Sequence, residues 1–307
     1  MRRNRTVKIV VCVLALVMAI AALSGCGAKK NTTITTMDGT FAETRIGAQI
    51  AKQLIEKHTD LTVEIHDAMA TVPAFTALKN DEIDFNLSYD GTLLTTLMGY
   101  DPSDVPEGED LYTWVNQMAK EEQGVMLTKK IGAENTYALA VQQDFAKEHN
   151  LKTISDLVPY APELVFGAEH EFFDVEGTMR YIPFCEYYGF DFKDGKSIDI
   201  SLKYAAMDSG NIDVTMVYST DGMNKKYNLF ILEDDKKFFP EYNEAYLMKT
   251  TLFDEYKDTA PNLEEVFNML EGQISSDDMV TMGYEVDVNK RSPEEVAKEF
   301  LTGKGLI

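Results

Sequence analysis

Apolar and polar residues alternate from Ile83 to Tyr89: Ile83, Phe85, Leu87 and Tyr89 interleave with Asp84, Asn86 and Ser88. A period of two buries one face of a strand. Asp90-Gly91 reads as the turn that ends it, since glycine adopts backbone angles other residues resist. Thr92 then opens the apolar run Leu93 to Met98, which reads as a helix. Tyr89 is thereby placed at the carboxyl end of a strand, where open α/β sheets bind their ligands. The same unit recurs further on. Ala77-Leu78, Ile83-Asp84 and Tyr89 have counterparts at constant offset in Ala206-Met207, Ile212-Asp213 and Tyr218. Ile212, Val214, Met216 and Tyr218 again share one face. Two such units predict two similar lobes, each presenting a tyrosine at a strand end. Two buried strands that merely look alike are the plainer alternative.

The rest of the chain alternates strands and helices. Thr33 to Thr36 and Leu61 to Ile65 read as strands, separated by a helix from Ala42 to His58 with Ile46, Ile50, Leu54 and Ile55 on one face. Val72 to Leu78 and Leu111 to Glu122 are helical, with an acidic loop from Pro102 to Asp110 between them. Val125 to Leu127 and Ala138 to Val141 are strand candidates. Gly132 to Thr136, between these two, is the expected crossing into a second lobe. That lobe takes helices from Asp144, near Ser155, around Met179 to Tyr188 and over Leu202 to Met207, with strands at Leu164 to Phe166 and Phe230 to Leu232. Asp234-Asp235-Lys236-Lys237 is the expected crossing back. Tyr246 to Met248 resumes strand character, and helices over Asn262 to Leu270, Ser276 to Met282 and Ser292 to Leu301 close the chain. Ser292, with Glu295 three residues on, is a helix cap. Alternating strands and helices predict an α/β protein, each lobe a mainly parallel sheet flanked by helices.

The amino terminus stands apart. Arg2, Arg3, Arg5 and Lys8 precede fifteen apolar residues, Ile9 to Leu23. That run is shorter than the ~20 residues a spanning helix needs, so it reads as a signal peptide over residues 1–25. Leu23-Ser24-Gly25-Cys26 resembles a bacterial lipobox, which makes Cys26 the lipid-anchored first residue of the mature protein and 26–32 a tether. Cys12 lies in the leader, so only Cys185 remains in the mature body and no internal disulfide forms. Cys185, between Phe184 and Glu186, reads as a small buried apolar residue. The formal net charge of −22 argues against a nucleic-acid partner. It weakly favours cationic ligands, or simply keeps an extracellular surface soluble.

Little catalytic chemistry is visible. His58, His66, His149 and His170 lack metal-ligand spacing, no Gly-x-Ser-x-Gly elbow is present, and no cofactor fingerprint occurs. The aromatic residues say more. Tyr137 and Tyr242 lie beside the two expected crossings, facing the strand ends at Tyr89 and Tyr218. Four tyrosines around one cleft would make a box for a quaternary ammonium. Such a cation has no N–H to donate, so only π faces, carboxylates and shape can hold it, each ring contributing roughly 0.5–2 kcal/mol. The competing reading is that these tyrosines rim two cores.

Several long runs resemble one family: Asn135-Thr136-Tyr137-Ala138-Leu139-Ala140-Val141, Leu164 through Phe173, Asp234 through Pro240, Tyr284-Glu285-Val286-Asp287, and Ser292 through Ala297. The resemblance is to the substrate-binding proteins of ABC importers for glycine betaine, choline and related quaternary ammonium compounds. It spans residues 33 to 307. It implies a two-lobed type II periplasmic-binding-protein fold, with lobe I from 33–135 and 235–307 and lobe II from 136–234. The family's aromatic cage falls on Tyr89, Tyr137, Tyr218 and Tyr242, and Thr92 matches a threonine near the ligand's tail. The implied partners are a small quaternary ammonium ligand, an ABC permease with its ATPase, and the membrane through the lipid anchor. The protein is expected to be monomeric, non-enzymatic and free of cofactor and metal.

The departures cluster where the family holds a carboxylate. Members that bind betaine carry Gly-Ser-Lys-x-Phe-x-Glu-Gln; here the run is Met37 to Thr44, with Gly39 at the lysine position and Thr44 at the glutamine position. The family's Arg-Pro-Asp-Gly is replaced by Val175-Glu176-Gly177. The cage for the cationic head is kept while the clamp for an anionic tail is lost, which favours choline, with glycine betaine or carnitine as alternatives. Thr44 remains a ligand-binding candidate. Asp90, in place of a common threonine, either adds negative charge near the cage or serves as a turn residue. Arg45 and Arg180 either rebuild the clamp or belong to the surface. A ligand-sensing lipoprotein without transport is the second function class, and a choline-ester hydrolase, lacking a visible nucleophile and base, the third.

Overall fold

The computed structural model describes residues 32–173, 179–199 and 202–307. The leader, Cys26 and Val175-Glu176-Gly177 lie outside them. Strands β1 (Thr33–Met37) and β2 (Thr62–His66) pair in parallel around helix α1 (Ala42–His58). The predicted stripe of α1 is buried, and so are Glu43 and Gly47, which share its periodicity. Helix α2 (Thr71–Lys79) leads to β3 (Phe85–Tyr89). Asp84 ties β1 to that strand: its N–H donates to the Thr35 carbonyl at 2.9 Å, and its carboxylate accepts from the Thr35 amide at 2.6 Å and hydroxyl at 2.8 Å.

Two differences from the periodicity appear here. All five residues of β3 are buried, Asn86 and Ser88 included, because apolar clusters cover both faces of its sheet. On the adjacent strand β10 (Glu244–Lys249), Tyr246 and Met248 join one cluster while Ala245 and Leu247 join the other. The chain also does not turn at Asp90-Gly91. It passes from Tyr89 straight into helix, with a π turn over Leu93–Leu97.

The sheets are mixed rather than mainly parallel. In the first lobe β10 lies antiparallel between β3 and β4 (Val125–Leu127). In the second, β5 (Tyr137–Gln142) runs antiparallel to β8 (Val214–Tyr218) and β9 (Leu229–Leu232). Only β6 (Val165–Ala168), with β7 (Asp194–Ser197) and β8, keeps the parallel βαβ style there. Strands β5 and β10 each enter a sheet directly from a crossing, without the helix that returns a chain in parallel. The wholly exposed β7 is polar and has no hydrophobic period to reveal it.

The second core is strongly aromatic. Phe184, on α3 (Tyr181–Tyr188), packs against Phe238 and Phe239 with ring centroids 5.4 and 5.6 Å away. The second lobe's packing therefore continues past the crossing expected at Asp234. Beyond it, residues 240–243 run beside 133–136: the Asn135 N–H donates to the Tyr242 carbonyl (2.9 Å) and the Thr136 hydroxyl to the Pro240 carbonyl (3.0 Å). Helices α4 (Lys203–Asp208) and α5 (Gly222–Lys226) complete the second lobe. Helices α6 (Ser276–Asp287) and α7 (Pro293–Gly303) pack on the first. Ser292 caps α7 as expected, accepting from the Glu295 N–H at 3.1 Å. Cys185 is a half-buried free thiol, and burial pushes its pKa up to about 11, so it is protonated at neutral pH.

Candidate functional site

Strand register brings the four tyrosines into two pairs. In the second lobe Tyr137 and Tyr218 are direct partners across β5 and β8. Their rings stack with centroids 5.2 Å apart and planes 24° from parallel. Phe172 and Phe239 back Tyr137 at 6.1 and 6.0 Å. In the first lobe Tyr89 lies opposite Glu244 in the β3–β10 ladder, and Tyr242 comes two residues earlier on the incoming chain. Their centroids are 6.1 Å apart at 40°. Gly91 makes this second pair fit: a Cβ there would run into the Tyr242 ring. What Gly91 supplies is thus space, not a turn conformation.

All four rings line one cavity of about 510 Å³, together with Phe41, Thr92, Asn135, Met179, Thr220 and Met279. Three carboxylates also line it, those of Glu43, Asp221 and Asp287, and among the described residues no Lys, Arg or His does. Asp287 is held by Arg45 at 3.1 Å, so that guanidinium is committed at the rim. Asp221 caps α5 and accepts from the Tyr204 hydroxyl at 2.5 Å. A cavity walled by π faces and carboxylates suits a cation.

The remaining predicted residues fall in different places. Thr92 lines the main cavity and also an adjoining one of about 260 Å³. Thr44 and Gly39 line only the adjoining cavity, and the Thr44 hydroxyl donates to the Phe41 carbonyl of its own helix at 3.1 Å. Asp90 is fully buried and lines neither. Its carboxylate accepts from the N–H of Gly91 (2.7 Å) and from the N–H (2.8 Å) and side-chain amide (2.7 Å) of Asn243. Burial lifts its pKa to about 6 against the pull of these donors. Asp90 thereby pins the residue next to Tyr242. Arg180 donates to the Met179 carbonyl at 3.0 Å, and its charge opposes the burial that raises the Tyr137 pKa.

Sequence reasoning passed over Glu43, Asn135 and Thr220. Glu43 is 5% exposed and draws three donors: the hydroxyls of Tyr89 and Thr220, and the Asn135 side-chain amide at 2.8 Å. It therefore joins a cavity-lining tyrosine of one lobe to a threonine of the other. The signal was available, since Glu43 is the one acid on the apolar stripe of α1 that runs through Ile46 and Ile50. Behind Tyr218, the buried Lys203 ammonium stands 5.3 Å from the ring centroid and pairs with Glu169 at 3.2 Å.

Two lobes that meet over a ligand-sized cavity between their strand ends have the arrangement of a solute-binding protein. The chain belongs to the OpuAC family, the substrate binding domain of the ABC-type glycine betaine transport system, whose model matches residues 32–303. It is 34% identical over 289 residues to the carnitine transport binding protein OpuCC of Listeria monocytogenes, covering 94% of this chain and 92% of that one. It is 29% identical over 269 residues to the ergothioneine transport permease/ergothioneine binding protein EgtU of Helicobacter pylori, covering 86% of this chain and 46% of that one. Among solved structures, that titled glycine betaine/carnitine/choline ABC transporter superposes with a TM-score of 0.82 at 28% identity, over 89% of this chain and 98% of its own. The protein is thus an extracytoplasmic substrate-binding protein of the glycine betaine/carnitine class of ABC importers.

Proposed function

We propose that this protein captures choline, or a quaternary amine like it, in a cage of Tyr89, Tyr137, Tyr218 and Tyr242, and delivers it to an ABC permease for osmoprotectant uptake. In this reading it works as a monomer anchored through lipidated Cys26. The observation that carries the ligand assignment is the wall of the cavity, with four tyrosines, three carboxylates and, among the described residues, no cationic side chain. A trimethylammonium head gains from such walls. A betaine carboxylate would be desolvated against them with no positive partner, which is costly. Gly39 and Thr44, standing where betaine binders carry lysine and glutamine, leave an open adjoining cavity instead of a clamp.

A longer quaternary ligand such as carnitine is the second reading. It is favoured by the adjacency of the two cavities, which share Phe41, Thr71, Tyr89 and Thr92. Calorimetric titration of the mature protein with choline, carnitine and glycine betaine separates these. Choline is expected to bind at least about tenfold more tightly than betaine, a difference of about 1.4 kcal/mol. Betaine binding as tight as choline would overturn the assignment and direct attention to Arg180, whose charge acts on Tyr137.

A further inference from the structure

Beneath the cage two buried carboxyl groups meet. Glu43 comes from the first turn of α1 and Glu244 from the first residue of β10, opposite Tyr89 in the ladder. Glu244 is fully buried, and neither of its oxygens receives a donor from any other described side chain or backbone N–H. Glu43 lies within hydrogen-bond reach of it and receives three. Two carboxyl groups hydrogen-bond only through a proton, and that proton belongs on the partner with no other donors. Resting on the quaternary-ammonium reading, we infer that Glu244 holds this proton and donates it to Glu43. The pair then carries one negative charge at the cage floor, where it serves as counter-charge to the ligand and fixes the Tyr89 ring and Thr220.

The surroundings leave that charge available. Arg45, two residues along α1, is taken by Asp287. Lys130, on the chain beside β10, faces Asp110 and Glu241 at 3.7 and 3.5 Å. The Tyr246 hydroxyl on β10 donates to the Gly47 carbonyl at 2.8 Å. The lining neighbours Asp221 and Asp287 are carboxyl groups and bring no positive charge. Burial raises the pKa of both glutamates, most strongly at Glu244, where the charge of Glu43 adds to it. Among the described residues no cationic side chain pairs with Glu43 or Glu244, so a bound cation can neutralise the pair.

The sign of the pH dependence follows. A folded pKa raised above the unfolded value of about 4.5 means that folding keeps a proton the unfolded chain has released. The contribution is therefore favourable at low pH and is lost as pH rises above about 4.5. Glu244→Gln supplies an N–H donor to Glu43 without needing that proton. It should weaken choline far less than Glu43→Gln does, because the charge on Glu43 stays. Its melting temperature should exceed that of wild type by a margin that grows from pH 5 to pH 8. Glu43→Gln removes the charge and should weaken choline at least about thirtyfold, with the far-ultraviolet dichroism unchanged. Choline affinity unaffected by Glu43→Gln, or lost equally in both variants, overturns the counter-charge. If Glu43→Gln does not fold, the Glu244→Gln comparison decides alone, and a pH-independent margin overturns the proton assignment. Wild-type protein that binds no quaternary amine refutes the ligand reading, while the melting comparison still tests the pair.

Discussion

Replacing Tyr218 by alanine is expected to weaken every trimethylammonium ligand by about 2–3 kcal/mol, roughly 30- to 160-fold in Kd, whatever its tail. Two losses combine in that figure. One is the ring's own attraction for the cation, and the other is the orientation of Tyr137, which stacks on Tyr218 at 5.2 Å. Tyr218→Phe keeps the π face and should cost far less. The alanine variant also uncovers Lys203, which stands 5.3 Å behind the ring. Tyr242→Ala is therefore the parallel case, because its ring belongs to the other lobe and has Gly91 and Tyr89 for neighbours. Calorimetry on both variants, with thermal melts to establish folding, checks the expectation. Affinity unchanged in both would mean that the tyrosines rim two cores and nothing more.

The second large effect concerns how the lobes meet. Gly222 opens α5, whose Met223 packs on the second lobe's core, while Gly283 lies in α6 on the first. Both glycines line the cavity. A Cβ on Gly222 would strike the Tyr284 backbone nitrogen and lie 2.7 Å from the Gly283 carbonyl carbon. Backbone cannot yield as a flexible side chain can, so the seam itself must open. Overpacking of this kind costs about 1–3 kcal/mol. Here that cost falls on the arrangement in which α5 meets α6, because each lobe keeps its own core. Gly222→Val should therefore weaken choline roughly 5- to 150-fold while the ligand-free melting temperature changes little. Small-angle scattering should show the variant remaining expanded at choline concentrations that compact the wild type. A variant that compacts and binds normally would show that the glycine contact plays no part in closure.

How far the sequence announced all this depends on the kind of signal. The tyrosines were legible because a strand end is marked by its period and a crossing by its polar break. The ladder then did the rest, setting Tyr137 directly beside Tyr218. The antiparallel course of β5 and β10 was not legible, since hydrophobic period carries no direction. Gly91 was read for backbone freedom when its contribution is room for the Tyr242 ring, a contact separated by more than a hundred residues. Asp90 shows the same limit from the other side: its partner Asn243 is distant in sequence, and its burial could not be inferred from a neighbouring glycine. Glu43 was visible as an acid on an apolar stripe. Glu244 was not, because the hydrophobic pattern marks a strand only from Tyr246, two residues into β10.

The central claim is that positive charge, rather than shape, is what the cavity recognises. Calorimetry with choline beside its neutral carbon isostere, in which a tert-butyl group replaces the trimethylammonium, tests that claim most directly. The two ligands match in size and share the hydroxyl. Four tyrosine faces and the carboxylates of Glu43, Asp221 and Asp287 predict that choline binds at least about 100-fold more tightly. Equal affinities would contradict the account, leaving a cavity that selects by shape and apolar contact alone.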